Sequence, residues 1–182
     1  MLEAILVKDI MNKEVVSVRA DTPVAEVVKV LFAHGFNGVP VVDDGNLLVG
    51  LITDYDFIAK GSPIYFSPLG RVLKELEPYR RADEKTLEIE IKELLASGAR
   101  RIMNAEPITL SPTSTLIDAA DLFLKHHRVN PIPVIEDDRK LVGIVSRYDL
   151  IKLYADPEFW ASHFRADGDG GASEEKENPL QS

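Results

Sequence analysis

The hydrophobic and polar positions of residues 15–57 predict a helix between short strands. Apolar side chains recur at helical spacing after the capping signal Asp21-Thr22-Pro23, and the pattern stops at Gly35. The predicted apolar stripe of this helix is Val24, Val27, Val28, Leu31 and Phe32. One amphipathic helix with its apolar face on a sheet is therefore expected.

Runs of β-branched residues flank the predicted helix. Residues 15–19 precede it, and residues 39–43 and 47–52 follow it as two strands joined by the hairpin signal Asp44-Gly45-Asn46. A second helix is predicted from Asp54 onward. The order of elements is thus strand, helix, strand, strand, helix.

This order of elements occurs twice along the chain. The stretch Leu47–Phe57 is echoed by Lys140–Leu150 at an offset of 93 residues. Further upstream the offset is 92, so one residue is inserted near residues 125–127, at a helix end where insertions are tolerated. We predict an α+β (mixed α/β) fold of two βαββα repeats, in which Val41 and Val134 occupy equivalent places.

The repeat also predicts the organisation of the chain. Residues 1–60 form the first repeat, residues 61–98 a helical insert and residues 99–156 the second repeat. Residues 157–182 form a C-terminal segment that runs into an acidic tail, which we expect to be disordered because it has few apolar residues.

The insert carries its own helix signals. Residues 68–76 indicate a short helix, and Asp83 can cap a second helix that ends at Gly98. Residues 87–91 also alternate as a strand would, but the segment is long and rich in Glu, Lys and Leu, which favours a helix. Its predicted apolar face is Leu87, Ile91, Leu94 and Leu95.

Composition narrows the classes of function. The chain has 182 residues, 45% of them hydrophobic, so it can bury a substantial core. It has no cysteine, so no disulfide, thiolate nucleophile or cysteine-ligated metal is expected. Its net charge of −9 argues against binding along a nucleic-acid backbone. With no signal-peptide pattern and no long apolar run, we expect a cytoplasmic protein without a membrane span.

In each repeat the last predicted strand runs into a hydroxyl residue, and an aspartate follows three residues later. These pairs are Thr53 with Asp56 and Ser146 with Asp149. A hydroxyl at a helix N-terminus favours a phosphate, and an aspartate can accept hydrogen bonds from both hydroxyls of a ribose. This describes a nucleoside-phosphate site without a nucleophile or general acid, so no enzyme is expected. The alternative is a capping box that only closes the first helical turn.

The histidines are weaker candidates for a site. His34, His126 and His127 lie at predicted helix ends, where imidazoles complement the helix dipole. A metal ion needs more ligands than these positions assemble, so no metal is expected.

Two copies of the motifs Met-Asn, Asn-x-h-Pro-h-h and Gly-h-h-Ser/Thr-x-x-Asp (h is apolar) resemble a tandem pair of cystathionine-β-synthase (CBS) domains. Such a pair is often called a Bateman module, and the resemblance covers roughly residues 7–60 and 99–155. It implies a non-enzymatic regulatory fold with pseudo-two-fold symmetry, two clefts between the repeats and often a homodimer. Members commonly bind AMP, ADP, ATP or S-adenosylmethionine, and no cofactor is required.

The resemblance leaves two functions open. The chain is either a stand-alone sensor that binds an adenine nucleotide and signals to an effector protein, or an assembly module with empty or degenerate clefts. The sequence does not identify the effector.

The resemblance also implies which residues line each cleft, because the motif of one repeat faces the first strand and the Asn-x-h-Pro segment of the other. The main cleft is expected to contain Ser146, Arg147, Tyr148, Asp149, Ile144, Met11, Val16, Asn37, Val39 and Pro40. The second, weaker cleft is expected to contain Leu51, Thr53, Tyr55, Asp56, Met103, Ile108, Asn130, Ile132 and Pro133.

The two clefts are ranked by the residue that follows the hydroxyl. Arg147 would lie beside a phosphate in the main cleft, whereas Asp54 would lie there in the second. Arg147 would attract the phosphate and Asp54 would repel it, so tighter binding of a phosphate-bearing ligand is expected in the main cleft.

Overall fold

A computed structural model of the chain describes residues 5–59 and 84–157. The elements of the first part are α1 (Val7–Ile10), β1 (Val18–Arg19), α2 (Val24–His34), β2 (Gly38–Val42), β3 (Leu48–Thr53) and α3 (Asp54–Ala59). Those of the second part are α4 (Glu84–Ala96), a 3₁₀ turn (Ala99–Arg101), α5 (Leu116–Lys125), β4 (Ile132–Ile135), a 3₁₀ turn (Asp137–Arg139), β5 (Leu141–Val145), α6 (Arg147–Lys152) and a last 3₁₀ turn (Leu153–Ala155).

The insert is helical where it is described. Helix α4 covers residues 87–91, so the strand alternative for that stretch is excluded. The predicted helix at residues 68–76 and the acidic tail from residue 165 lie outside the described residues.

The two hairpins have the same register, which confirms the predicted repeat. In the antiparallel pair β2–β3, Val41 lies opposite Gly50, and in β4–β5, Val134 lies opposite Gly143. Both ladders then shift by one residue at the same place. Val41 and Val134 therefore occupy equivalent positions, as the offset of 93 predicts.

The first strand of each repeat is shorter than its β-prone run predicts. β1 pairs in parallel with β2 over Val18 and Arg19 alone, and the second repeat has only a parallel bridge between Leu110 and Val134. The backbone turns directly afterwards: the Arg19 N–H donates to Thr22 Oγ1 and the Ser111 N–H to Ser114 Oγ. These turns end each strand where its ladder ends, whereas the residues of the predicted run that do not pair, 15–17, lie before the ladder.

The leading segment of each repeat packs into the core of the other repeat. Val7 of α1 is fully buried with Leu110, Phe123 and Ile132 of the second repeat. Conversely, Ile102 packs with Val24, Val27 and Val39 of the first repeat. Neither core is complete without the opposite repeat, so the two sequence repeats form one packed unit.

Backbone hydrogen bonds hold each leading segment against the opposite repeat. The Val7 N–H donates to the Ser114 carbonyl at 2.8 Å, and the Ala99 N–H donates to the Thr22 carbonyl at 2.8 Å. Both bonds lie just before a repeat helix, α5 in one case and α2 in the other. The pseudo-two-fold symmetry therefore extends to the connections between the repeats.

The apolar stripe predicted for α2 is covered by the rest of the protein except at its edge. Val24, Val27 and Leu31 are buried, but Phe32 is 83% exposed. Its counterpart in α5, Leu124, is 68% exposed. At about 100° per residue, position 32 lies about 80° from Val24, beyond the side of the helix that faces the sheet. Phe32 therefore belongs to the apolar stripe of the helix without being covered by the sheet.

No helix in residues 5–59 or 84–157 is long and apolar enough to cross a bilayer.

Candidate functional site

The hydroxyl–aspartate pairs have almost identical geometry in the two repeats. Ser146 caps α6, its Oγ donates to Asp149 Oδ2 at 2.6 Å, and its N–H donates to the same oxygen at 2.8 Å. Thr53 makes the same two bonds to Asp56 Oδ2, at 2.8 Å and 2.9 Å. Both pairs therefore form the local cap that was the alternative reading. The cap orients each aspartate without excluding a ligand.

The leading segments meet these motifs from the opposite repeat. Asn12 and Ile144 exchange both backbone hydrogen bonds, at 2.9 Å and 3.0 Å. Asn104 and Leu51 exchange theirs at 2.8 Å and 3.0 Å. Each Gly-to-Asp motif thus faces the segment that begins the other repeat, as the family resemblance implies.

Gly50 and Gly143 permit this close approach. A Cβ on Gly143 would lie 2.4 Å from Met11 Sδ, and one on Gly50 would lie 2.7 Å from Met103 Sδ. These distances are below van der Waals contact, so a side chain at either position would require the methionine to shift. Met11 and Met103 thereby fix the position of each leading segment.

A cavity of about 480 Å³ opens at the Ser146–Asp149 motif, a volume typical of a small-molecule site. It lies between the repeats, since residues of both line it. Six predicted main-cleft residues are among them: Val16, Asn37, Ile144, Ser146, Tyr148 and Asp149.

Four residues predicted for the main cleft do not line this cavity. Val39 and Pro40 are fully buried within the sheet, and Met11 packs against Gly143. The Arg147 guanidinium donates to the His127 carbonyl at 2.6 Å and lies over the Phe123 ring. A helix-end carbonyl and an aromatic face thus hold Arg147 in this conformation, in which its charge is not directed into the cavity.

The cavity also contains residues that sequence reasoning missed. Lys152 lies one turn after Asp149, its Nζ is 3.3 Å from Asp149 Oδ1, and it lies over the Tyr148 ring at 4.8 Å. Its position three residues after Asp149, on the same side of a helix, is the sequence signal that could have identified Lys152. Glu14 and His34 also line the cavity, and the His34 ring stacks on Phe36 at 4.9 Å.

Residues predicted for the second cleft are mostly buried. Leu51, Thr53 and Asp56 are each less than 8% exposed, and Ile132 and Pro133 are buried in β4. Ile108 is half-buried, and Met103 packs on Gly50. Access to the second cleft is therefore restricted at the residues expected to meet a ligand.

Tyr55 of the second cleft is in contact with Arg128. The guanidinium lies 4.9 Å from the Tyr55 ring centroid, and Nη1 donates to Tyr55 Oη at 2.5 Å. Arg128 was not predicted as a site residue, because it belongs to neither motif.

The two asparagines of the Asn-x-h-Pro segments meet between the clefts. Asn130 Nδ2 donates to Asn37 Oδ1 at 3.3 Å, and both residues line the cavity. Asn130 was predicted for the second cleft, so the structure instead gives it a position shared with the main one. Asn37 Nδ2 donates to Asp54 Oδ2 at 3.4 Å, while Asn130 Oδ1 accepts from the Arg147 N–H at 3.0 Å.

A second cavity of about 490 Å³ lies away from both motifs. Arg19, Asp44 and Arg100 line it, and Arg19 is ion-paired with Asp44. Met103 is the one predicted site residue in its lining. The cavity at Ser146 therefore matches the sequence prediction better.

Comparison with known proteins settles the family. The CBS domain family model matches residues 7–62 and 99–156, which is more than half of the chain. The chain belongs to the CBS-domain family. The predicted tandem CBS pair and its α+β fold are confirmed by this match and by the solved structures that the chain resembles.

One curated relative and two solved structures illustrate the similarity. An uncharacterized protein of Methanocaldococcus jannaschii is 32% identical over 156 residues, which span 82% of this chain and 91% of that protein. CBSX2 of Arabidopsis thaliana, solved in complex with AMP, has a TM-score of 0.61 at 24% identity and matches 83% of this chain and 96% of that one.

The CBS domain pair of protein MJ0100 has a TM-score of 0.59 at 25% identity, over 84% of this chain and 98% of that one. It was solved with 5-methylthioadenosine and S-adenosylmethionine.

Proposed function

We propose that this chain is a regulatory CBS-pair protein that binds one adenine nucleotide or related adenosine ligand beside Ser146 and Asp149 and signals its presence to an effector protein. AMP, ADP, ATP and S-adenosylmethionine are the candidate ligands. The single observation that carries the proposal is the cavity of about 480 Å³ between the repeats, lined by a hydroxyl and an aspartate. The role is non-catalytic and cytoplasmic in this proposal.

The polar groups of the cavity suit a nucleoside. Asp149 Oδ2 accepts from Ser146, whereas Oδ1 lies 3.3 Å from the exposed ammonium of Lys152. A ribose hydroxyl can replace that weak contact, since exposed ion pairs contribute about 0–1 kcal/mol. Val16, Ile144 and Pro131 supply apolar surface for a flat base.

Two cations are candidates to meet a phosphate. Lys152 already lines the cavity, with its side chain 58% exposed and so free to turn. Arg147, predicted from the sequence for this role, would first have to leave the His127 carbonyl. We propose Lys152 as the first contact, with Arg147 joining only if its side chain turns.

The solved relatives support an adenosine ligand in general terms. CBSX2 was solved with AMP, and the CBS pair of protein MJ0100 with 5-methylthioadenosine and S-adenosylmethionine. These ligands share adenosine and differ in what is attached to it, so adenosine recognition is the part of the proposal that they support.

Calorimetry and thermal unfolding with adenosine, AMP, ADP, ATP and S-adenosylmethionine test this proposal. A ligand at about 100 times its dissociation constant should add about 2.7 kcal/mol to the free energy of unfolding. The expected result is one adenosine compound bound per chain. Absence of binding by all five compounds would reject the sensor function.

In that case the assembly-module function would take its place. Both repeats leave large apolar side chains exposed on their helices, namely Phe32, Ile58, Ile117, Leu124, Ile151 and Tyr154. We propose that the chain forms a homodimer through these helix faces. Phe32 and its counterpart Leu124 are both exposed, and burying such side chains in an interface removes apolar surface from water.

Light scattering tests the dimer. At about 100 µM chain, a dimer with a micromolar dissociation constant, near −8.2 kcal/mol, is almost fully formed. Leu124→Glu should shift the mass to that of a monomer, while the control Glu88→Lys on α4 should leave it unchanged. A monomeric mass for the unaltered chain would contradict the dimer.

A further inference from the structure

The two clefts differ in the residue that lies two positions before Asn37 in one repeat and Asn130 in the other. In the first repeat this residue is Gly35, which lines the cavity, and in the second it is Arg128. A Cβ at Gly35 would meet no atom within 4 Å, so the main cleft is open at this point. In the second cleft, the equivalent position carries the longest cationic side chain.

Arg128 joins the two walls of the second cleft. Its partner Tyr55 is the counterpart of Tyr148, which lines the open cavity. Arg128 precedes β4 of the second repeat and Tyr55 lies on α3 of the first, so the 4.9 Å ring contact and the 2.5 Å hydrogen bond cross between the repeats. Gly35 has no side chain with which to make the equivalent contact.

Matched positions in the clefts show the same difference in access. Tyr55 is 37% exposed and Tyr148 is 65% exposed. Thr53 and Asp56 are buried, whereas their counterparts Ser146 and Asp149 are only half-buried. Both motifs have the two hydrogen bonds from the hydroxyl residue to the aspartate, so these bonds do not account for the difference.

We infer that the Arg128–Tyr55 contact closes the second cleft and so sets the occupancy of this chain at one adenosine ligand. The inference rests on the proposed function, since it concerns how many ligands bind. A ligand entering the second cleft has to displace the guanidinium from both the ring and the hydroxyl. In the main cleft Gly35 makes no equivalent side-chain contact, and the exposed Lys152–Asp149 ion pair is the contact that a ribose hydroxyl replaces.

The test isolates the second cleft by removing Asp149. Adenosine is the probe because it has no phosphate that Arg128 could attract. In the Asp149→Ala background, adenosine binding to the second cleft should be weak. Adding Arg128→Ala should tighten it about tenfold, equivalent to about 1.4 kcal/mol. In the chain with Asp149 intact, Arg128→Ala should raise the number of ligands per chain from one to two.

Two further variants make the result specific. Arg100→Ala removes an exposed arginine outside both clefts and should leave adenosine binding unchanged. Tyr55→Phe keeps the ring but removes the hydroxyl that accepts from Arg128, so it should open the cleft in part. Thermal unfolding of each variant checks that it is folded at the temperature of the titration.

The outcomes separate this inference from the proposed function. One ligand per chain both with and without Arg128 would overturn the inference and leave the sensor function standing. Two equal sites in the unaltered chain would do the same. AMP binding to the second cleft that weakens in Arg128→Ala would make Arg128 a ligand contact instead of a closing residue. No adenosine binding in any variant would reject both ideas.

Discussion

The two clefts of this protein contain the same hydroxyl–aspartate pair, yet they differ in how open they are. The Ser146–Asp149 and Thr53–Asp56 bonds agree within 0.2 Å when each is compared with its counterpart. Access differs because residues outside the motif, Gly35 in one case and Arg128 in the other, stand at the entrance. A repeated motif therefore predicts local geometry in both copies, but it does not predict that both copies bind.

The sharpest test of this difference is to remove each aspartate in turn. Asp149→Ala should weaken adenosine binding by about 1.5–3 kcal/mol, because hydrogen bonds from ribose to a charged acceptor are lost. Asp56→Ala should leave the tighter site nearly intact, while lowering the free energy of unfolding, since Thr53 and Asp56 are buried together. Calorimetry and chemical unfolding measure the two effects. Equal losses of binding in both variants would mean that the clefts are equivalent.

The glycines under the methionines allow a second comparison of the repeats. Gly50→Ala and Gly143→Ala should each lower the free energy of unfolding by about 1–3 kcal/mol, because an added methyl group overpacks the site. At both sites the closest atom belongs to the methionine, but the Asn104 carbonyl oxygen would be 3.0 Å from a Cβ at Gly50, whereas the Asn12 carbonyl oxygen would be 3.3 Å from one at Gly143. Gly50→Ala should therefore cost more, as measured by urea unfolding.

A rescue experiment checks that reason. Met11→Ala should restore part of the stability lost in Gly143→Ala, because it removes the side chain that clashes. Met103→Ala should restore less in Gly50→Ala, since the backbone carbonyl remains. Equal rescue at both sites would show that the carbonyl contact is unimportant.

The third comparison concerns the two cations near Ser146. A charge about 6 Å from a phosphate, at an effective dielectric constant of about 40, contributes about 1.4 kcal/mol, or about tenfold in affinity. Lys152→Gln should therefore weaken AMP about tenfold more than adenosine in calorimetry, whereas Arg147→Gln should have a smaller effect. The control is Lys125→Gln, which alters an exposed lysine paired with Asp121 outside the cavity. A larger effect from Arg147 would mean that its side chain turns on binding, as the sequence predicts.

The smallest expected effect compares the starts of α2 and α5. Helix α5 begins with Thr115, which shares a reciprocal capping box with Asp118, whereas α2 begins at Pro23 without a side-chain cap. Hydrogen bonds from the Thr115 backbone and side chain lower the pKa of Asp118. Their contribution to stability is present above the unfolded pKa of an aspartate and is lost as the pH falls through the lowered pKa.

Removing the Thr115 hydroxyl should therefore raise the pKa of Asp118 toward its ordinary range. Carboxyl-carbon NMR titration of Thr115→Ala measures this shift. Pro23→Ala should leave the titration of Asp118 unchanged. An unaltered pKa in Thr115→Ala would show that the backbone bond alone is responsible.

Much of the fold could be predicted because its signals are local in the sequence. The equivalence of Val41 and Val134 follows from a constant offset, and the matching register of the two hairpins agrees with it. The helix at residues 84–96 follows from capping, composition and length. Phe32 shows the limit of this approach, since apolar character at the edge of a stripe does not state whether a neighbour covers it.

The candidate site could be predicted only in part. The Ser146–Asp149 pair lies within one helical turn, so its spacing is visible in the sequence, but only the family resemblance distinguishes a ligand site from a helix cap. Val39 and Pro40 were predicted to line the cleft but are buried, because their backbone lies in the strand that faces the core. The motif specifies which strand lies near the cleft, whereas the packing of the sheet decides which of its side chains reach it.

The sequence by itself determined the repeats, the order of their elements, the hairpins and the spacing of the hydroxyl–aspartate pairs, because the signals within each repeat lie a few positions apart. The tertiary structure alone decided which leading segment completes which core, where the charge of Arg147 lies and which cleft Arg128 covers. These depend on contacts such as Met11 with Gly143 and Arg128 with Tyr55, between residues far apart in the chain. Such contacts form only when the two repeats pack together, and no local spacing encodes them.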